Sequence, residues 1–500
     1  MSTEIRRRRA LQVAALGAAS AVVGGVGTWR SLVAPRLTGL DPQAGRPLRE
    51  PQVLTSRGGL LEVGLTATGG VVLAGRRTRA LGYNGTSPGP TLRVAPGDVL
   101  RLTLTNNLHD TTNLHTHGLH VSPEGESDDV FRMVEPGQSA RYEYAIPASH
   151  PTGTFWYHPH HHGTVADQVF GGLFGALVVA AAPKDPGAVR ERVLVVSDTT
   201  LTTDGEVAAV SRQQVMQGRE GELVLVNGQL RPRIDLSAGS PERWRVVNAC
   251  TSRFLELVLD EHAWGFLGYD GQALHEPDEL AAVVLAPGNR ADMLVRPTGT
   301  GTFALRTLDH DRGRMGMMAG GASLTSVGTT LATVRVTATE SPAAADAGST
   351  PAHGSGILPE VADLRGQVPD ARRTLTFTMG MGMGMGGGGG GMSFGFDGQE
   401  FDPERVDQSV ALGTVEEWTI ANASPMDHPF HLHVWPMQVV AAPDAAPGGR
   451  PDWRDVVVVP ARGQVTVRVR FTDFGGRTVY HCHVLDHEDL GMMGVIEARP

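Results

Sequence analysis

"VLRLTLTN" (residues 99–106) alternates apolar and polar side chains and stops at an Asn. Period-two alternation puts every second side chain on one face, the mark of a half-buried strand and not of a helix. The same figure recurs in "ERWRVVNA" (242–249) and "EEWTIANA" (416–423), with Asn at 248 and 422. A Gly turn and another alternating strand follow each: "PGQSARYEYAIP" (136–147), "PGNRADMLVRP" (287–297) and "RGQVTVRVRF" (462–471). A third block closes each copy: "GTFWYHPH" from Gly153, "GTFALRTL" from Gly301 and "GRTVYHCH" from Gly476. Three copies of one unit predict an all-β chain of three β-sandwich modules. Their expected limits are 48–183, 184–345 and 372–500, with residues 346–371 as a linker and 1–47 as leader and linker.

Composition agrees with that picture. The chain has 500 residues, room for about three domains. Its 64 Gly and 32 Pro make it turn-rich without reaching the content of a disordered chain. A net charge of −10 leaves no basic footprint for DNA or RNA, so nucleic acid is excluded as a partner. The two cysteines, Cys250 and Cys482, do not make a disulfide framework, and Cys250 is expected to pack as a small buried hydrophobe. "RRRRALQVAALGAASAVVGGVG" sets Arg6 to Arg9 before an apolar run, the order of an export signal. It resembles a twin-arginine signal, with Arg8 and Arg9 as the pair, and predicts a protein exported beyond the cytoplasmic membrane. Left uncleaved, the same segment would be a membrane tether.

Aligning the copies shows where they differ. Nine and eleven residues after the strand Asn stand His115 and His117 in the first copy, His431 and His433 in the third, and Leu257 and Leu259 in the second. Five and seven residues after the block Gly stand His158 and His160, then His481 and His483, with Arg306 and Leu308 in the second copy. The middle module keeps the fold positions and lacks the histidines. In each His-x-His the two imidazoles share one strand face. Four pairs offer eight nitrogens, too many for one tetrahedral zinc, and imidazole suits copper. A polynuclear copper site between modules one and three is expected. Cys482 faces away from His481 and His483. With His428, His487 and Met492 it forms the two-His, Cys, weak axial Met set of a blue electron-transfer copper. Met493 is the adjacent alternative to Met492. An electron on that copper reaches the histidine cluster through the backbone of Cys482.

"HTHGLH", "WYHPHHHG", "HPFHLH" and "HCHVLDHEDLGMM" resemble, in order, the four copper-binding motifs of the multicopper oxidases. The resemblance implies three cupredoxin-like Greek-key domains and four copper ions. It places the type 1 copper on His428, Cys482, His487 and Met492, the type 2 copper on His115 and His431, and the type 3 pair on His117, His158, His160, His433, His481 and His483. It implies an oxidoreductase that takes electrons one at a time and reduces O2 to water. By similarity to the family's proton-relay acids, Asp128 or Asp129 and Glu488 are candidates, the two Asp residues being inseparable. His161 and His162 are expected to hydrogen-bond to ligands and not to bind copper. His109, His120 and His150 are expected to be structural or solvated.

The electron donor is the open point. Met315, Met317, Met318, Met379, Met381, Met383, Met385 and Met392 fall in two Gly-rich stretches that cannot make a packed core stripe. Thioethers prefer Cu(I), so these loops are expected to recruit it, making the protein a cuprous oxidase in copper homeostasis. A laccase-like or bilirubin-oxidase-like enzyme acting on phenols and other aromatics is the alternative, and a wide cleft over His428 or His487 would favour it. A non-enzymatic copper-binding role is the third reading. For the Met/Gly loops themselves the alternative is a low-complexity linker between modules two and three. A monomer is expected.

Overall fold

Each Asn that ends an alternating strand makes the same three hydrogen bonds. Asn106 donates to the carbonyls of Asp110 and Val134 and accepts from Leu108 N–H. Asn248 does so with Arg253, Leu285 and Cys250, and Asn422 with Met426, Val459 and Ser424. A buried carboxamide thus satisfies backbone groups where the chain leaves one sheet and crosses to the next. In the first and third copies the crossing leads directly to the strand on which histidines stand.

The computed structural model describes residues 45–180, 189–274, 277–314, 323–338, 363–381, 392–444 and 451–500. The leader, Met315, Met317, Met318, Met383, Met385 and most of the 346–371 linker lie outside these. In all three copies the Asn strand pairs in parallel with an earlier strand: Val99–Asn106 with Leu60–Gly69, Glu242–Asn248 with Arg190–Thr199, and Val415–Asn422 with Ala371–Met381. Its other edge pairs antiparallel with Ser139–Ala145, Arg290–Val295 or Gln464–Arg470. The sheets contain four and five strands in the first copy, six and five in the second and third. Alternating apolar positions from each pair of sheets bury against one another, for example Leu65, Leu104, Phe155 and Leu177 in the first copy and Leu375, Trp418, Phe430 and Tyr480 in the third. Each copy is a sandwich. Among the described residues, no helix is long and apolar enough to cross a membrane.

The Gly-block strand lies inside its sheet in every copy, flanked by the His-x-His strand or its counterpart. His158 pairs with His115 and His481 with His431. In the middle copy Leu257 instead pairs with Thr307, and Arg306 with Val258. Counting from Gly301 is therefore one residue out there. On its other edge the same strand shifts register against Thr329–Thr337 at Leu305/Arg306, where the extra residue, Leu331, lies on the partner strand. Leu257 and Leu259 are buried in the core, while Arg306 and Leu308 are exposed.

Candidate metal centre

Two short strands, His115–His117 and His428–Leu432, bring modules one and three face to face. The imidazoles interleave: His115 stacks on His433 with ring centroids 3.9 Å apart, and His117 on His431 at 3.8 Å. His160 meets His481 at 4.8 Å, and His483 approaches both His117 and His158. All eight are 0–2% exposed. Burial, and then mostly the neighbouring imidazoles, push their pKa values down, so all are neutral at physiological pH. Neutral imidazole is the ligand form.

In His115, His117, His158 and His431 one ring nitrogen has a partner and the other has none. His115 Nδ1 meets Asp128 at 2.8 Å, His158 Nδ1 the Pro159 carbonyl at 2.8 Å, His431 Nδ1 the Asp455 carbonyl at 2.8 Å and His481 Nδ1 the Cys482 carbonyl at 3.0 Å. His115 Nε2, His117 Nδ1, His158 Nε2, His431 Nε2, His433 Nδ1 and both nitrogens of His483 are buried without any partner. His160 Nε2 and His433 Nε2 each point at His481 Nε2 across 3.2 Å. Buried polar atoms left unpaired are costly, and facing lone pairs repel. A bound metal removes both penalties, and the all-imidazole donor set fits copper.

A second cluster sits in the core of module three. Cys482 Sγ lies 3.3 Å from His428 Nδ1 and 3.8 Å from His487 Nδ1, and accepts from Val484 N–H. Helix Leu485–Asp489 carries His487 back toward the sulfur. Hydrogen bonds from Cys482 N–H to the Met492 carbonyl and from Met492 N–H to the His487 carbonyl close the turn. Met492 is fully buried in the cluster that contains Cys482, whereas Met493 packs with Val130 and Val479 elsewhere, which separates the two. Burial raises the thiol's pKa and lowers that of His487 to about 3. The set fits a soft metal bound by thiolate and neutral imidazoles.

Around the histidines the candidate acids sort themselves. Asp128 is buried and accepts from Thr116 N–H and Oγ1–H beside its His115 contact, while Asp129 is half-buried and caps Phe131 N–H. Glu488 is buried 3.0 Å from His481 Nδ1 and 3.5 Å from His160 Nε2. Burial pushes both Asp128 and Glu488 up to about 7. His161 and His162 depart from expectation: His162 packs on Phe401, and the buried imidazoles donate their hydrogen bonds to Asp128, Asp455, Ser424 and backbone carbonyls. Their neighbours in sequence gave no sign of Asp455 or Ser424 as partners. His120 bonds the Val434 carbonyl and His150 is buried. Cys250 is a free, buried cysteine.

A family model described as Multicopper oxidase matches residues 66–184, and a second with the same description matches residues 371–500. The chain belongs to the multicopper oxidase family. Its members are copper-dependent oxidoreductases. The chain is 25% identical over 434 residues to the multicopper oxidase mco of Staphylococcus epidermidis, with 84% of each chain covered. It is 25% identical over 480 residues to a laccase of Bacillus subtilis, covering 83% of this chain and 89% of the laccase. A solved structure titled as a multicopper oxidase from Campylobacter jejuni, a metallo-oxidase, superposes with a TM-score of 0.78 at 28% identity, over 94% of this chain and 98% of that one.

Proposed function

We propose that this multicopper oxidase is a cuprous oxidase, exported beyond the cytoplasmic membrane to protect against Cu(I). Four Cu(I), one O2 and four protons give four Cu(II) and two waters. His428, Cys482, His487 and Met492 would hold the type 1 copper, His115 and His431 the type 2 copper, and the other six histidines the type 3 pair. Bound there, the four ions supply one-electron acceptance and four-electron storage. The protein's own residues supply the rest. Cys482 joins the two sites covalently through His481 and His483, and Asp128 and Glu488 stand where protons are needed.

The observation that carries the donor assignment is a methionine cluster over the cysteine site. Met216, Met379 and Met426 pack together with Leu324, and Met216 also offers its carbonyl 3.3 Å from His487 Nε2. The first Met/Gly stretch leaves from the hairpin whose Gly313 bridges to Met426. The second leaves from strands Ala371–Met381 and Met392–Phe396. Phe377 of the first strand stacks on His428, and Phe394 of the second on His487. Met379 of the second stem, Met426 and Met216 thus gather beside the imidazoles through which electrons must enter, a setting suited to Cu(I). Both imidazoles are fully buried, which disfavours direct contact with a bulky phenol.

Oxygen uptake by the copper-loaded protein tests the reading, with Cu(I) and, separately, a simple phenol as sole donor. Faster uptake with Cu(I), after subtraction of spontaneous oxidation, is expected. A preference for the phenol would make the protein a laccase.

A further inference from the structure

The middle module has no copper ligand, yet its turn at Gly288–Arg290 reaches the histidine cluster. Arg290 is fully buried. Its guanidinium forms a two-pronged pair with Asp455 of module three, Nη1–Oδ1 at 2.7 Å and Nη2–Oδ2 at 2.5 Å. Its Nε–H and a second Nη1–H go to the carbonyls of Thr154, in module one, and Gly288. Asp455 in turn touches a histidine from each outer module: its Oδ1 lies 3.1 Å from His117 Nε2, and its carbonyl accepts from His431 Nδ1. Asp270, also of the middle module, accepts from the N–H groups of Arg290, Asp455 and Val456 and from Asn289. That carboxylate fixes the backbone from which both members of the pair project.

Space is matched as closely as charge. A Cβ on Gly118, one residue after His117, would lie 2.4 Å from both Arg290 Nη2 and Asp455 Oδ2, and its φ is +87°. A Cβ on Gly288 would lie 2.8 Å from the His483 ring. The guanidinium therefore sits against the segment that bears His117, and its own turn sits against the His483 ring.

We infer that Arg290 is a positioning residue of the trinuclear copper site: through Asp455 it sets the orientation of His117 and His431, so that the ligand-free middle module holds the halves of the site in register. A planar fork gripping both carboxylate oxygens fixes an angle that a Lys ammonium cannot. Partners of metal-bound histidines orient the ring and govern retention of the ion. The inference rests on the copper assignment proposed above. The type 1 set lies within module three and does not touch the pair.

The test uses copper-loaded full-length wild type, Arg290→Lys and Arg290→Gln, with copper content, the type 1 blue absorption and the type 2 electron paramagnetic resonance signal as readouts. Arg290→Lys keeps the charge and safeguards against a failure of Arg290→Gln to fold. Expected is full blue absorption per chain with an altered type 2 signal and about tenfold or greater loss of type 2 copper to a chelator. Variants with a lower melting temperature but an unchanged, fully retained type 2 signal would overturn the inference and leave Arg290 as a module tie. A wild type that shows no type 2 signal at all would instead overturn the copper assignment.

Discussion

Ser424 Oγ lies 2.8 Å from His428 Nε2, on the side of the ring opposite Cys482. The hydroxyl also bonds the Met426 carbonyl at 3.0 Å. A carbonyl can only accept, so the single hydroxyl proton goes there, and Oγ accepts from His428 Nε2–H. This fixes the tautomer that turns the Nδ1 lone pair to the cysteine. An acceptor on the remote N–H makes an imidazole a stronger donor to a metal.

Ser424→Ala should therefore raise the potential of the cysteine-bound copper by some tens of millivolts, the order of one hydrogen bond. Ser424→Asp, with a charged acceptor, should lower it. Redox titration of the blue absorption measures both, and equal potentials in all three proteins would refute the role given to Ser424.

Asp128 and Asp129 should separate sharply. The Asp128 carboxylate accepts from Thr116 and contacts His115 Nδ1. An Asn amide there would set an N–H against His115 or give up the Thr116 bonds. Asp128→Asn should lower kcat by about a hundredfold. Asp129→Asn should change it little, because that side chain caps a half-buried turn. Steady-state rates with Cu(I) decide the point, and equal losses would count against the distinction.

Glu488 supplies a pH signature with a definite sign. Burial raises it from 4.5 to about 7. Folding thus favours its protonated form, so its contribution to stability is full below about 4.5 and is lost as pH rises through about 7. Glu488→Gln cannot ionise, so the metal-free variant should melt above the wild type at pH above about 7 and near it at about pH 4. With Glu488 as the proposed relay acid, its neutral carboxyl would be the proton donor in turnover. Wild-type rates should fall as pH rises through about 7, and the variant should be slow throughout, by about a hundredfold below that pH and by less above it. A variant that keeps the wild-type limb would exonerate Glu488.

The three sandwiches and the histidine pairs were legible because both are local: alternation has period two, and residues i and i+2 share a face. The three matching Asn residues were visible too, although their common hydrogen bonds were not. Arg290, Asp455 and Met216 are partners only through tertiary structure, separated from what they touch by loops or whole modules, and Ser424, four residues before His428, meets its ring only through the turn between them. "GESDDVF" is a turn without periodicity, so nothing in it could distinguish Asp128 from Asp129. The one-residue offset in the middle copy shows only in which residues pair across the sheet, which counting along the chain cannot see.

Met426 offers the most direct test of how electrons enter. Its side chain is fully buried beside Met216 and Met379, two residues before His428, while its backbone carbonyl serves Ser424. Met426→Leu keeps the carbonyl, the volume and the apolar contacts, and such swaps cost less than about 1.5 kcal/mol. Only the thioether is lost. If that sulfur helps to hold Cu(I), KM for Cu(I) should rise by about tenfold, one ligand's share of affinity, while kcat with an organic donor and the blue absorption stay at wild-type values. Met379→Leu should act in the same direction, and the pair together should exceed either alone, since residues in contact are not independent. An equal fall in both activities would mean that the methionines shape the site without touching the donor.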